Sequence, residues 1–481
     1  MSLKKTLVLA AVLAAAVIYI WRVEIPRTRE NEQKGVVFRN IDRDEIKSLG
    51  ITTSGESFEL VNSAPRKTEP DAAGEVDEFS AEVFKSWQLG AVPGSTLDPA
   101  VVSSLVSGIL KLKLDEPLPK DEVEQDLSAY GLKSPELSIK LRTLDNSYEL
   151  LFGKLNSYFN QRYFKLGDSE AVYLVPEFLY SAANKKAEDF RDRTPIEFID
   201  SDVEKISIRS KQGEITIQPG EPGEWRITHP IESAASGQAI AGITRTLRNL
   251  RAEGFVNDLT ELKKYGLEDP EISVEIHFKE TAARQPISLA ISSVADSADK
   301  SQETSYAYIK GLPSIYELSI DPSKGLVKTP AEIREKSLLK FALDSVARVE
   351  IEKRDTAKIS LVRDGETWTV NQKPGDKAFI NQLLTDLSRL EAKDFPADSP
   401  SAGLDKPHLK ISLHFSGADT QDLTLVVGNA VQKDGSLRFA SISKVPYLIA
   451  ISEEDVKKIS PREEVLVPVP PAAEQSPSEQ P

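Results

Sequence analysis

The sequence predicts an α+β protein: an N-terminal transmembrane helix, then three tandem related α+β units with antiparallel sheets. Three observations carry this. A short turn motif recurs at nearly constant spacing, each copy is followed by a strand alternating apolar and polar residues, and each is preceded by one tryptophan and an amphipathic helix. The turn is Tyr130-Gly131-Leu132-Lys133-Ser134-Pro135, then Tyr265-Gly266-Leu267-Glu268-Asp269-Pro270, then Gly403-Leu404-Asp405-Lys406-Pro407 without the tyrosine. Its glycines stand 135 and 137 residues apart. Constant spacing over three copies is the mark of tandem structural units. Glycine accepts the positive φ such a turn needs, and proline starts the next strand at an edge.

After each proline come Leu137-Ser138-Ile139-Lys140-Leu141, Ile272-Ser273-Val274-Glu275-Ile276 and Leu409-Lys410-Ile411-Ser412-Leu413. Period-two alternation predicts antiparallel strands with one wet face. Each unit then carries a later strand, at Val172-Tyr173-Leu174, Ile315-Tyr316-Glu317-Leu318 or Tyr447-Leu448-Ile449. Upstream stand Trp87, Trp225 and Trp368, each followed by a proline (Pro93, Pro230, Pro374) and a helix with Asp98, Ser236 or Asp376 as N-cap. The helices' apolar stripes step by three and four: Val102, Leu105, Val106, Ile109; Ile240, Ile243, Leu247, Leu250; Ile380, Leu383, Leu384, Leu387, Leu390. One buried tryptophan per unit is the expected role of Trp87, Trp225 and Trp368.

Before each tryptophan a strand pair is expected. Asp364-Gly365 turns the pair in the third unit and Pro219 to Gly223 the pair in the second, whereas the first carries a long polar insertion at 64–78. The segments 184–193 and 330–336 read as charged helices joining units. The expected organisation is an anchor and linker at 1–35, units at 36–195, 196–337 and 338–464, and a disordered Pro/Glu/Ser-rich tail at 465–481.

The anchor is read from Lys4 and Lys5 followed by the charge-free run Thr6–Trp21. Its end, Val17-Ile18-Tyr19-Ile20-Trp21, is bulky and interfacial, which suits an uncleaved span better than a cleaved signal; cutting near Ala14-Ala15-Ala16 is the alternative. Sixteen residues rise roughly 24 Å, short of a hydrocarbon core of about 30 Å, and snorkelling of Lys5 and Arg22 would make up the difference. Arg22, Arg27 and Arg29 follow the run, so charge alone does not orient it. Without a second apolar span, the whole body is expected on one side of the membrane.

The formal charge of −15 repels phosphate backbones and anionic lipid, which argues against nucleic acid as a partner and against a peripheral membrane patch. The absence of cysteine removes disulfides, thiolate nucleophiles, cysteine-ligated zinc and a lipidated N-terminal cysteine.

In its N-terminal apolar run, its tryptophan strands and its Tyr-Gly-Leu-x-x-Pro turns, the chain resembles the family catalogued as domain of unknown function 4340, over most of residues 36–460. That resemblance implies a bacterial envelope protein, often associated as an auxiliary component with ABC-type export systems of the gliding-motility kind. It brings no catalytic residues with it.

The residues themselves offer no catalytic, cofactor-binding or metal-binding site. His408 and His414 lie on one strand at a separation of roughly 20 Å, too far for one ion. His229 and His277 stand alone. Ser337-Leu338-Leu339-Lys340 spells Ser-x-x-Lys, but the Ser-x-Asn and Lys-Thr-Gly elements that chemistry needs are missing. No Gly-x-x-x-x-Gly-Lys phosphate loop occurs. Asp42, Asp44 and Glu45 lack the glycine of a calcium loop and read as a solvated turn.

The expectation is therefore a non-enzymatic, single-pass protein of the bacterial inner membrane with a periplasmic or otherwise extracytoplasmic body. It would act by protein–protein interaction as an accessory or scaffolding subunit of a transporter, its partners being the membrane and integral transporter subunits. The alternative is an envelope module binding a peptide or glycan. An accessory subunit predicts exposed apolar patches at unit junctions, a binding module one concave pocket between units.

Overall fold

The computed structural model describes residues 35–67 and 84–467, apart from 120–122, 124, 125, 168, 222, 296–302, 338, 398, 417–420, 433, 434 and 444. The expected span at Leu7–Trp21, most of the polar insertion and the tail beyond Val467 lie outside these residues. Among the described residues no helix is long and apolar enough to cross a membrane.

The chain forms three antiparallel sheets and two compact units: Met1–Ser201 with Arg245–Glu275 and Gln285–Lys324, and Asp202–Thr244 with Ile276–Arg284 and Gly325–Pro481. The first sheet contains β1 (Ile46–Thr53), β2 (Ser57–Asn62), β3 (Trp87–Leu89), β4 (Leu137–Thr143), β5 (Ser147–Asn156), β6 (Gln161–Leu166) and β7 (Tyr173–Pro176), in the order β3-β2-β1-β4-β5-β6-β7. The expected hairpin and meander are thus one continuous sheet. The helix Pro99–Leu110 falls between β3 and β4, and β4 returns to pair with β1, Leu141 opposite Leu49 and Ile139 opposite Ile51.

The second sheet contains β8 (Val203–Ser210), β9 (Gly213–Pro219), β10 (Trp225–His229), β11 (Ser233–Ala235), β12 (Ala252–Val256), β13 (Ile272–Phe278), β14 (Ile287–Ala295), β15 (Glu303–Ile309) and β16 (Ile315–Leu318). Its order is β11-β10-β9-β8-β13-β14-β15-β16-β12. The third contains β17 (Val346–Lys353), β18 (Ile359–Asp364), β19 (Thr367–Val370), β20 (Lys373–Pro374), β21 (Leu409–Phe415), β22 (Leu423–Ala430), β23 (Leu437–Ile442) and β24 (Ile449–Ser452), ordered β20-β19-β18-β17-β21-β22-β23-β24. Its last strand starts at Ile449, two residues later than Tyr447 suggests, because Ile449 is the residue that pairs with Ala440.

In the first and third units a capped twelve-residue helix packs into the core of the sheet, joined there by the shorter helices Glu177–Ala183, or Glu453–Lys458 and Glu463–Leu466. Asp98 and Asp376 each accept two backbone N–H groups of the first helical turn, and Ser236 Oγ accepts from Ala239 at 3.4 Å. The expected stripes are all buried. In the first unit they join Leu49, Ile51, Leu60, Leu137, Ile139, Leu141, Phe152 and Phe164 in a single core; the third unit has the matching core. Strand β4 alternates as predicted, with Leu137, Ile139 and Leu141 buried and Lys140 exposed.

The recurring turn is equally regular. Gly131, Gly266 and Gly403 have φ of 71°, 69° and 68°. The turn presses on a neighbouring strand: a Cβ on Gly153 would lie 2.1 Å from Tyr130 O, and one on Gly428 1.9 Å from Ala402 O. In the second unit Ser292 takes over, donating from Oγ to Gly266 O at 2.9 Å. Tyr130 stacks on Tyr163 and Tyr265 on Tyr306, at 4.8 and 4.5 Å between centroids. The third unit has Ala402 at that position, and Phe439 and Leu448 close the small cluster instead.

The joining segments are single turns rather than charged helices, Ala187–Phe190 and Pro330–Ile333, each ending in a buried apolar residue. Phe190 O accepts from Asp98 N–H, Ile333 O from Ser236 N–H and Leu466 O from Asp376 N–H, so each unit closes on its own helix cap. The next residue is Arg191 or Arg334, and both reach aromatic side chains of the following unit. Arg191 Cζ sits 3.6 Å from the centroid of Phe255, which stacks on Tyr316. Arg334 lies 4.6 Å from the rings of both Phe395 and Tyr447. Arg191 also donates to Asn257 Oδ1 (2.9 Å) and Ser314 Oγ (2.8 Å), and burial holds its guanidinium below the ordinary value. Nε of each arginine finds no partner among the described residues. After Leu466 the matching residue is Val467, so the contact is not repeated.

Trp87 and Trp368 are buried, opposite Asn62 and Arg363 in the same strand register; Trp225, opposite Pro219, is only half-buried, a correction to the expectation. Trp87→Ala and Trp368→Ala are each expected to cost about 3–5 kcal/mol, and Trp225→Ala roughly 1–2 kcal/mol, in urea unfolding. A second expectation concerns Asp192, whose backbone N–H bonds to Thr96 O. Burial pushes its carboxyl above the ordinary 3.8, with Asp98 and Glu197 adding. The folded state therefore holds this proton more tightly, so the site's stabilisation is present below the unfolded value and lost as pH rises through the folded one. Asp192→Asn, which still accepts from Thr194 N–H, should raise the melting temperature at neutral pH, and that gain should vanish in melts taken below the ordinary carboxylate range.

Candidate functional site

The polar residues singled out by sequence do not converge. His414 Nδ1 is 2.7 Å from Asp422 Oδ2, and its Nε2 is 3.9 Å from Glu350 Oε2. His408 precedes β21, where partial burial and the nearby Arg438 hold it below its ordinary value. His229 is exposed, opposite Thr216 on β9. Lys340 is tied to Glu335 Oε2 at 2.8 Å, and Ser337 donates its N–H to the same carboxylate, which splits the Ser-x-x-Lys pair between structural contacts. Asp42 caps the turn Arg43–Glu45 and Asp44 pairs with Arg66 at 2.9 Å, as a solvated turn should. Among the described residues no group of three or more His, Cys, Asp or Glu is placed to hold a metal ion.

A polar cluster the sequence reading missed does exist, and its role is structural. Arg162, buried on β6, donates to Glu177 (2.7 Å), Glu136 (2.8 Å) and Gly153 O (2.8 Å), and lies over Tyr180. Arg438 repeats it with Glu453 and Gly428 O. In the second unit Ser293 and Ser305 bond at 2.9 Å across the matching strands. Arginine and glutamate separated by fifteen residues in two copies was the available signal.

The concave feature lies on the first unit. A groove of about 520 Å³ runs along the helix Pro99–Leu110, lined by Pro99, Ala100, Ser103, Ser104, Ser107 and Gly108, with Phe84, Phe178 and Lys111 at its margins. Helical spacing puts these small side chains on one face, opposite the buried stripe of Val102, Leu105, Val106 and Ile109. Phe178 is 56% exposed. Gly108 leaves room for the short helix Glu177–Ala183: a Cβ there would meet Leu179 Cδ1 at 3.1 Å and Phe178 Cε2 at 3.3 Å. At the same end of the sheet, where Gln161 pairs with both Asn156 and Pro176, the β5–β6 turn exposes Tyr158 and Phe159. At the junctions Arg191 and Arg334 pack on aromatic rings, which is not the exposed apolar patch expected there.

The family described as a domain of unknown function (DUF4340) matches the chain twice, at residues 87–270 and 225–407. Together the matches cover more than half of the sequence. The chain belongs to the DUF4340 family. No curated protein matches it, and no solved structure does. Each match begins at the tryptophan of one unit, Trp87 or Trp225, and ends at the turn proline of the next, Pro270 or Pro407. What the DUF4340 family shares is therefore longer than one repeat. Each match runs from the tryptophan strand through the helix and the later strands of one unit and across the junction, with Arg191 inside the first match and Arg334 inside the second.

Phe178→Asp should lower the binding of an apolar fluorescent dye such as anilinonaphthalene sulfonate several-fold while leaving the melting temperature nearly unchanged. Unchanged dye fluorescence would place the accessible apolar surface elsewhere.

Proposed function

We propose that this DUF4340 protein is a membrane-tethered, extracytoplasmic accessory subunit that works by docking to other proteins, an ABC-type transport system being the partner the family's company suggests. The observation that carries the reading is the groove on the first unit: an open helix face of small side chains edged by Phe84 and Phe178. Small residues let a second backbone approach closely, and Phe178, exposed beside this face, offers aromatic contact area, while Phe84 is buried in the core. Two further features support it. Tandem repeats are a common architecture among proteins that work by partner binding. The groove's polar lining is serine hydroxyls and one lysine, which suits recognition more readily than covalent or acid–base chemistry.

The test is affinity capture of the full chain from membranes in mild detergent, with mass spectrometry of the captured proteins. Transporter subunits should be enriched with the native chain and reduced roughly ten-fold or more with Ser104→Tyr, which fills the groove. Capture that is indifferent to Ser104→Tyr would sink the groove as the docking face. Tight binding of a peptide or glycan by the purified chain, lost in Ser104→Tyr, would favour the ligand-binding alternative.

A further inference from the structure

The buried arginine cluster is complete in the first unit and incomplete in the third. Arg162 donates to Glu177, Glu136 and Gly153 O, and the Tyr180 hydroxyl donates to the same Glu136 at 3.3 Å. Its counterpart Arg438 donates to Glu453 and Gly428 O and makes no other ion pair among the described residues. What is missing is the carboxylate of Glu136. That residue follows the turn proline and bonds its N–H to Phe152 O; in the same place in the third unit stands His408, whose N–H bonds to Val427 O. Tyr180 lies three residues after Glu177, and Val456 three after Glu453, so the hydroxyl is missing too.

The neighbouring substitutions change charge in the same direction. Opposite Leu137 stands Thr53, and opposite Leu409 stands Lys353. The residues that follow are Ser54 and Arg354. Lys353 Nζ donates to Ser460 O and Pro461 O, each at 2.6 Å, and Arg354 donates to Lys406 O, so backbone carbonyls rather than carboxylates hold both cations. Burial, then Arg438, Arg354 and Lys353, hold the His408 imidazole below its ordinary value against the opposing charge of Glu453. The second unit makes the reverse change. Ser305 precedes Tyr306 there as Arg162 precedes Tyr163, and the acid is kept as Glu271, which accepts the Ser293 N–H. The third unit alone gathers cations where the first places a carboxylate.

We propose that the third unit binds a carboxylate, supplied by an acidic ligand or partner, in the position that the Glu136 side chain fills in the first unit. Arg162 Nη1 serves both Glu136 and Gly153 O, whereas Arg438 Nη1 serves Gly428 O alone, at 3.3 Å. A guanidinium with such a donor to spare favours a planar carboxylate, and the bond is charge-assisted. His408 adds a ring N–H in either charge state. The Arg438 side chain is 21% exposed, and His408 and Arg354 stand at the surface, so a solute reaches the site. The proposal depends neither on the groove of the first unit nor on a membrane tether.

The test is proton–carbon NMR of the full chain with histidine labelled at Cε1. Four histidines give few signals, and His408 is assigned from its loss in His408→Gln. Potassium acetate, potassium succinate and a capped Gly-Glu-Gly peptide are each titrated against potassium chloride of equal ionic strength. The His408 signal should move saturably, in the millimolar range for so small an acid, while those of His229 and His277 stay still. Arg354→Gln, at an exposed position, should raise the half-saturating concentration roughly three-fold or more. A peptide that binds roughly ten-fold tighter than acetate names a partner protein as the source, and equal or weaker binding names a free acid. His408→Glu, which brings back the carboxylate of the first unit, should raise the melting temperature and abolish any further gain from acetate. A His408 signal that moves no more in the three carboxylates than in chloride overturns the proposal, and so does a titration that Arg354→Gln leaves unchanged.

Discussion

Everything in this structure depends on one requirement: an antiparallel sheet with one apolar face must have that face covered. Each unit places a twelve-residue helix after the strands on one side of the sheet and before those on the other. That placement brings β4 and β21 back beside β1 and β17, so that in the first and third units the helix shares one core with strands from both sides of the sheet. The Gly-Leu-x-x-Pro turn is what brings the chain back. Its glycine takes positive φ, and in the first and third units its preceding carbonyl lies where a second glycine, Gly153 or Gly428, leaves no Cβ to obstruct it. Burial of the stripe is the dominant energy, at about 25 cal/mol per Å² of apolar surface, and the turn decides that the stripe meets the right sheet.

The same logic sets how units follow one another. Phe190, Ile333 and Leu466 close each unit against its own helix cap, and the chain then enters the next unit, with Arg193 O and Lys336 O accepting from Ala252 and Ala392 N–H. The intervening arginine is packed on aromatic rings of the unit it enters. A cation on an aromatic face contributes about 0.5–2 kcal/mol, more when desolvated, and it is directional. Arg191 and Arg334 therefore act less as sources of stability than as fixed points for the chain between closures. The family matches, running from one tryptophan to the next unit's turn, include this junction with the sheets.

Small departures among the units show which parts the fold demands. Tyrosine on the turn is dispensable when Phe439 and Leu448 supply the volume, and the Arg–Glu pairs of the first and third units become a serine pair in the second. Trp225, opposite Pro219, is less buried than its two counterparts. The groove beside Phe178 lies outside these interchangeable positions; it occurs in the first unit with no demand from packing, and function is the more economical reason for it.

Periodicity by itself determined much of this protein. The strands flanking the turns and tryptophans, the three capped helices, their buried stripes and the turn glycines were legible, because each is a local consequence of residue spacing and backbone sterics, whereas the edge strand β12 was not. The resemblance to DUF4340 was legible from the same short motifs. The pairing of β4 with β1 was not, since long-range strand pairing leaves no period in the sequence. Nor was the role of Arg191 and Arg334, which look like ordinary surface charges in two charged segments until tertiary structure sets them on Phe255, Phe395 and Tyr447. The groove and the exposed turn were hidden for a related reason. Serines and glycine on a helix, or Tyr-Phe in a turn, reveal their exposure only once the rest of the chain has taken its place around them.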